Sequence, residues 1–201
     1  MIILSPTAVP EDVMSEMEAL GEPDVLIVPN TYHRTDAAVF KARYPKCKVA
    51  SPPRWIKEGV NEVVEVDMDA RELTNRHDGS VRVVQIGGLS ETGDDDFEFA
   101  YEFKCADGKW AYAVTDTLFN FPEKGFMNWV FGSRGILQPD GSCTPRVGRI
   151  SKWFMHSTTN CSKFYREMAK REDVCMILMA HGDIATENIQ TAFNSIADDL
   201  S

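Results

Sequence analysis

The chain reads as an α/β protein of the α+β sandwich kind, on three observations. Its first quarter alternates strand and helix. Its middle is a β-meander with apolar residues at every second position. Its end sets a continuous apolar strand, residues 174–180, before an amphipathic helix. At 201 residues it is long enough for two packed layers around one core, so residues 1–201 are expected to form a single domain.

The elements follow in order. Residues 1–5 form a short strand ended by Pro6. Residues 10–20 form a helix with Val13, Met17 and Leu20 on one face, Glu11 and Asp12 in its first turn and Gly21 as its stop. Residues 24–28 form a buried strand. The loop 30–34 leads to Thr35 as N-cap of a helix that runs to about Tyr44 and is closed by Pro45. Residues 48–50 are a strand, 52–58 a connector, 61–66 a strand and 81–86 another. Phe97, Phe99, Tyr101 and Phe103 alternate with Glu98, Glu102 and Lys104, the period of a strand with one face in solvent. Asp107-Gly108 signals a two-residue hairpin turn, and the return arm, 109–114, runs into Thr115-Asp116-Thr117. Residues 120–149 are rich in loops but hold Phe126, Trp129 and Phe131. Residues 150–156 and 160–170 have helical patterns. The last helix begins near Thr186, with Ile189, Ala192, Phe193, Ile196, Ala197 and Leu200 on one face.

A net charge of −10 argues against general affinity for nucleic acid or anionic membranes. No apolar run reaches the length of a transmembrane helix, and the N-terminus has the form of no signal peptide. Five scattered cysteines without a C-x-x-C pair point to a reducing, cytoplasmic setting and to packing roles.

Three strand ends carry a candidate ligand: His33 after 24–28, Asp116 after 109–114 and His181 after 174–180. One carboxylate and two imidazoles suit a divalent cation such as zinc. Each also has a plainer role: Asp116 as a turn carboxylate, His181 as a partner of turn backbone, and His33 as an exposed loop residue.

The order of these elements, with Asp116 and His181, resembles the metallo-β-lactamase superfamily. Residues 2–6 (IILSP) look like the strand ending in the "lIDpp" turn. Residues 24–30 (DVLIVPN) are similar to the strand that leads into the H-x-H-x-D-H motif. Residues 81–93 (VRVVQIGGLSETG) look like the strand and "G-H-T-x-G-S" loop. Residues 112–119 (YAVTDTLF) are similar to the "lftGDtLF" strand, and Ala180-His181-Gly182-Asp183 to the "GHG" turn. The resemblance implies a four-layer αββα fold with a shortened N-terminus. It also implies that Asp116 stands where the family has its metal-bridging aspartate and His181 where it has a ligand. The H-x-H-x-D-H positions hold Asn30, Tyr32, Arg34 and Thr35, with His33 one residue out of register, and Leu89 replaces the histidine of the loop. This pattern looks like a divergent branch labelled as metal-dependent hydrolases.

Two functional readings follow from the resemblance. In one, the protein is a hydrolase with at most a single metal (zinc, iron or manganese) on His33, Asp116 and His181. Asp116 is then the catalytic residue, and Asn30, Arg34 and Trp129 are candidate substrate contacts. In the other, it is a non-catalytic relative in which an Arg34–Asp116 pair replaces the ion, and it binds a small anion or a protein partner. The aromatic residues of 120–131 either line that pocket or belong to the core, and exposed they would suit a homodimer interface. A third reading has a different α/β domain whose polar strand ends coincide by chance.

Overall fold

The N-terminal alternation builds a parallel sheet. The computed structural model describes residues 1–91, 97–123, 125–138 and 141–201. Its chain divides into two units, Met1–Asn75 and Arg76–Ser201. The first contains β1 (Ile2–Leu4), α1 (Glu11–Ala19), β2 (Val25–Ile27), α2 (Ala37–Arg43), β3 (Lys48–Ser51), α3 (Pro53–Lys57) and β4 (Met68–Asp69). The strands pair in parallel in the order β1-β2-β3-β4. Val25, Leu26 and Ile27 are wholly buried, as expected of a parallel strand covered on both faces. Gly21 ends the α1 region at φ 136°, a conformation that side chains with a Cβ rarely adopt.

Three expectations for this unit are corrected. The strand expected over 61–66 is a 3₁₀ turn, Val60–Glu62, and the strand is β4 instead. The backbone N–H groups of Glu62 and Val63 go back to the Gly59 and Val60 carbonyls. Asn61 Oδ1 accepts from Val66 N at 2.9 Å, so local bonds use up the groups a ladder needs. The N-cap of α2 is Asp36, not Thr35, and its carboxylate accepts from Ala8 N at 2.8 Å rather than from the helix. The connector 52–58 contains the short helix α3, begun by Pro53 at the position where proline is tolerated.

The second unit holds β5 (Val81–Gln85), β6 (Phe99–Lys104), β7 (Trp110–Val114), β8 (Leu118–Phe119), α4 (Phe126–Phe131), β9 (Ile136–Leu137), β10 (Cys143–Thr144), β11 (Arg146–Val147), α5 (Arg149–Trp153), α6 (Thr158–Met168), β12 (Val174–Met179) and α7 (Ile189–Asp199). Its main sheet has the order β12-β7-β6-β5. The meander β5-β6-β7 is antiparallel, and β12 joins β7 in parallel. Helix α7 starts at Ile189, three residues after Thr186, and buries Ile189, Ala192, Phe193, Ile196 and Ala197. Phe193 meets Tyr112 of β7 edge-on at 5.5 Å and stacks on Tyr165 of α6 at 6.1 Å, which locks both helices to the sheet. No helix among the described residues is long and apolar enough to cross a membrane.

The hairpin differs from its sequence signal in two ways. Cys105 N donates to Lys109 O at 2.8 Å and Gly108 N to Cys105 O at 3.0 Å, with Gly108 at φ 85°. The loop is therefore three residues long, with a glycine in the left-handed region closing it. The second difference is that β6 has no solvent face at its start. Glu98 and Glu102 are 0% and 1% exposed, because both sides of the strand are covered. Glu102 is compensated by Arg171 and by Arg82 at 3.7 Å. The loop-rich stretch 120–149 contains the short helix α4, on which Phe126 and Trp129 are exposed rather than part of the core. Thr92 and Gly93, the end of the loop compared with "G-H-T-x-G-S", lie outside the described residues.

Candidate functional site

Sheet register brings Asp116 and His181 together. In the parallel ladder Met179 lies opposite Val114 and Leu178 opposite Ala113. Two residues beyond the last pair stand His181 and Asp116, at adjacent strand ends. His181 Nε2 lies 3.0 Å from Asp116 Oδ1. The antiparallel ladder does the same on the other side. Tyr101 lies opposite Ala113 and Glu102 opposite Tyr112, so continuing the pairing sets Glu98 opposite Asp116.

Glu98 is what shapes the turn that carries Asp116. Its Oε1 accepts from the backbone N–H and hydroxyl of Thr115. Its Oε2 accepts from Asp116 N at 3.1 Å, Thr117 N at 2.7 Å and Thr117 Oγ1 at 2.5 Å. One wholly buried carboxylate thus gathers three consecutive backbone N–H groups and both flanking hydroxyls. Burial pushes the Glu98 carboxyl above its usual range and the nearby Asp116 charge adds to this, while the threonine hydrogen bonds oppose it. With the threonines turned inward, the Asp116 side chain is left on the outer side of the turn, 15% exposed. Ser151 Oγ donates to the Asp116 carbonyl from α5.

His181 is fixed as firmly. Its ring stacks on Phe119 with centroids 5.1 Å apart and planes 10° from parallel. Its carbonyl accepts from Asn120 N at 3.1 Å, and Asp183 N donates to Asn120 O at 2.9 Å. Gly182 sits between them at φ 93°, where an added Cβ would come within 2.4 Å of the Asn120 carbonyl. Only glycine lets the two chains approach so closely.

The other candidates lie in the first unit or on α4. Asn30 is buried and caps the 3₁₀ turn Thr31–His33, its Oδ1 accepting from Tyr32 N and His33 N at 2.8 and 3.1 Å. His33 Nδ1 lies 2.6 Å from Ser5 Oγ. Arg34 donates to the Gly59 carbonyl and lies 3.3 Å from Glu62 Oε2. Trp129 is exposed on α4, with the Arg149 guanidinium 5.8 Å from its ring centre. Sequence reasoning overlooked Glu98, Phe119, Ser151 and Asn120. Hairpin register could have found Glu98, but the two-residue turn assumed for Asp107-Gly108 sets it opposite Thr117.

No family model matches the sequence, and no curated protein matches it. Solved structures do. The DIM-1 metallo-β-lactamase superposes with a TM-score of 0.56 at 10% identity, over 100% of this chain and 82% of its own. The same enzyme exposed to ceftazidime gives 0.53 at 13% identity, over 95% of this chain and 75% of its own. TMB-1 gives 0.53 at 11% identity, covering 94% and 74%. The chain therefore has a mixed α/β fold like that of the metallo-β-lactamases.

Proposed function

We propose that this protein is a metal-dependent hydrolase with a reduced, single-cation site built on Asp116 and His181. The observation that carries this reading is the convergence of a carboxylate and an imidazole, 3.0 Å apart, at neighbouring strand ends of this fold. The donor set fits a divalent cation. Ligand atoms about 2.0–2.2 Å from a tetrahedral zinc are roughly 3.4 Å from one another, close to the separation the pair already has. Asp116 and His181 each have their backbone pinned and their side chain toward the outside of a turn, as ligands need. His33 is the third donor in this reading. Like them it follows a buried strand, although six residues past the end of β2 rather than two. In the tautomer that donates Nδ1–H to Ser5 Oγ, Nε2 is the nitrogen left to coordinate. Residues 1–201 act here as one metallo-β-lactamase-like domain, which the alignment over the whole chain supports.

A cation bound there supplies Lewis acidity to a carbonyl or phosphoryl oxygen of the substrate. The chain's own contribution is positional. Glu98 keeps the Asp116 carboxylate from turning inward, and Phe119 holds the His181 ring in one plane. Arg34 and Trp129 are the proposed substrate contacts; Asn30, expected among them, is wholly buried and caps the 3₁₀ turn that carries His33 instead. The engagement of Arg34 by Gly59 and Glu62 weighs against its charge being the partner of Asp116 in place of an ion.

Elemental analysis tests the reading. Protein purified without chelator is expected to carry about one equivalent of zinc, iron or manganese, and Asp116→Ala to lose it. Wild-type protein with a metal content near zero that also fails to take up added Zn²⁺ would overturn the proposal.

A further inference from the structure

Cys105 and Cys175 meet at the opposite end of β7 from Asp116. Their Sγ atoms are 3.8 Å apart, although the residues are 70 apart in sequence. The contact is built by the backbone. Val174 pairs with Trp110 and Met176 with Ala111, so Cys175 is an extra residue in the ladder. Such a bulge re-aims the side chain it carries. The Cys175 thiol lies 3.5 Å from the Trp110 carbonyl oxygen. Cys105 opens the three-residue hairpin loop and is held by its backbone bonds to Lys109 and Gly108. Both residues are half-buried rather than shut in the core. Cys47 and Cys161 are buried, and burial pushes their thiols up to about 11 and about 12, which makes them poor nucleophiles at neutral pH.

We propose that Cys105 and Cys175 form an intramolecular disulfide when the folded protein meets a small-molecule disulfide such as oxidised glutathione. The Cys105 thiolate attacks one glutathione sulfur, the glutathione S–S bond breaks, and one glutathione thiolate leaves. The Cys175 thiolate then attacks the Cys105 sulfur of the mixed disulfide and expels the second glutathione. Two protein thiols are oxidised and one glutathione disulfide is reduced. The two protons lost by the cysteines are taken up by the two glutathione thiolates. Closing the contact to the bond length of about 2.05 Å needs a movement of under about 2 Å. Burial and the neighbouring Cys105 raise the Cys175 thiol, so the second step speeds up in mildly alkaline buffer.

The inference is independent of the metal reading and is tested on the full chain. Reduced protein is exposed to oxidised glutathione at pH 8, remaining thiols are alkylated, and the chain is cut with trypsin without reduction. Cleavage after Lys104, Lys109 and Arg171 places Cys105 in residues 105–109 and Cys175 in residues 172–201. The expected result is these two peptides joined, released by dithiothreitol, and formed at least about tenfold faster in native buffer than in concentrated urea, where proximity is lost. In Cys175→Ser, Cys105 is expected to keep its glutathione adduct. Both cysteines recovered alkylated, separate glutathione adducts on each, or linkage at equal rates in urea would overturn the proposal.

Discussion

Glu98 shows how one buried charge can organise a site without touching what the site binds. Three backbone N–H groups and two hydroxyls converge on it, which compensates its desolvation and leaves the Thr115–Thr117 turn with one shape. Glutamine in its place keeps the volume but presents an N–H₂ group to donors that already point inward. Glu98→Gln is therefore expected to lower stability by about 2–4 kcal/mol, read as a fall in the urea midpoint at unchanged m-value. A change within about 0.5 kcal/mol would mean that the turn holds its shape without the clamp. The sequence concealed this residue because its neighbours alternate so cleanly. Phe97, Phe99, Tyr101 and Phe103 define one face, and period-2 reasoning sends Glu98 to the other. That other face is solvent only if nothing covers the strand. Asp116 and His181 were legible because each follows a run of buried apolar residues, where a polar side chain stands out.

Among the elements, the ladders β7–β12 and β6–β7 transmit the geometry, and their register was only partly readable. The apolar run of 174–180 announces β12, but nothing in it names β7 as its parallel partner, because β8 to β11 and α4 to α6 lie between the two strands. The hairpin was harder. Asp-Gly suits a two-residue turn, but Gly108 closes a three-residue loop instead, and that one-residue difference decides whether Glu98 faces Asp116 or Thr117. Two-residue strands such as β8 and β11 are too short to show any period. They matter here because β8 leads to Asn120, whose backbone brackets Gly182. Gly182→Ala meets both a positive φ and a 2.4 Å contact with the Asn120 carbonyl. It is expected to cost about 1–3 kcal/mol and to displace the His181 ring. Loss of stability with metal content intact would show that the His181 turn can relax without moving the ring.

At the scale of the whole molecule, the proposed site and the stability of the fold become linked quantities. A cation that binds the native chain and not the unfolded one stabilises the native state by RT ln(1 + [L]/Kd), about 2.7 kcal/mol at a hundredfold excess over Kd. For a chain of 201 residues this is a rise of roughly 5–10 °C in the melting midpoint. The apo protein, prepared with a chelator, should therefore melt lower than the same protein with Zn²⁺ restored, and Asp116→Ala should melt at one temperature in both buffers. The comparison separates two ways in which a metal can appear in an elemental analysis. A cation held on the surface by the −10 net charge would shift wild type and variant alike. A cation held by Asp116 and His181 shifts only the wild type, because the variant retains almost all of the acidic surface and lacks the one carboxylate that β7 and Glu98 present.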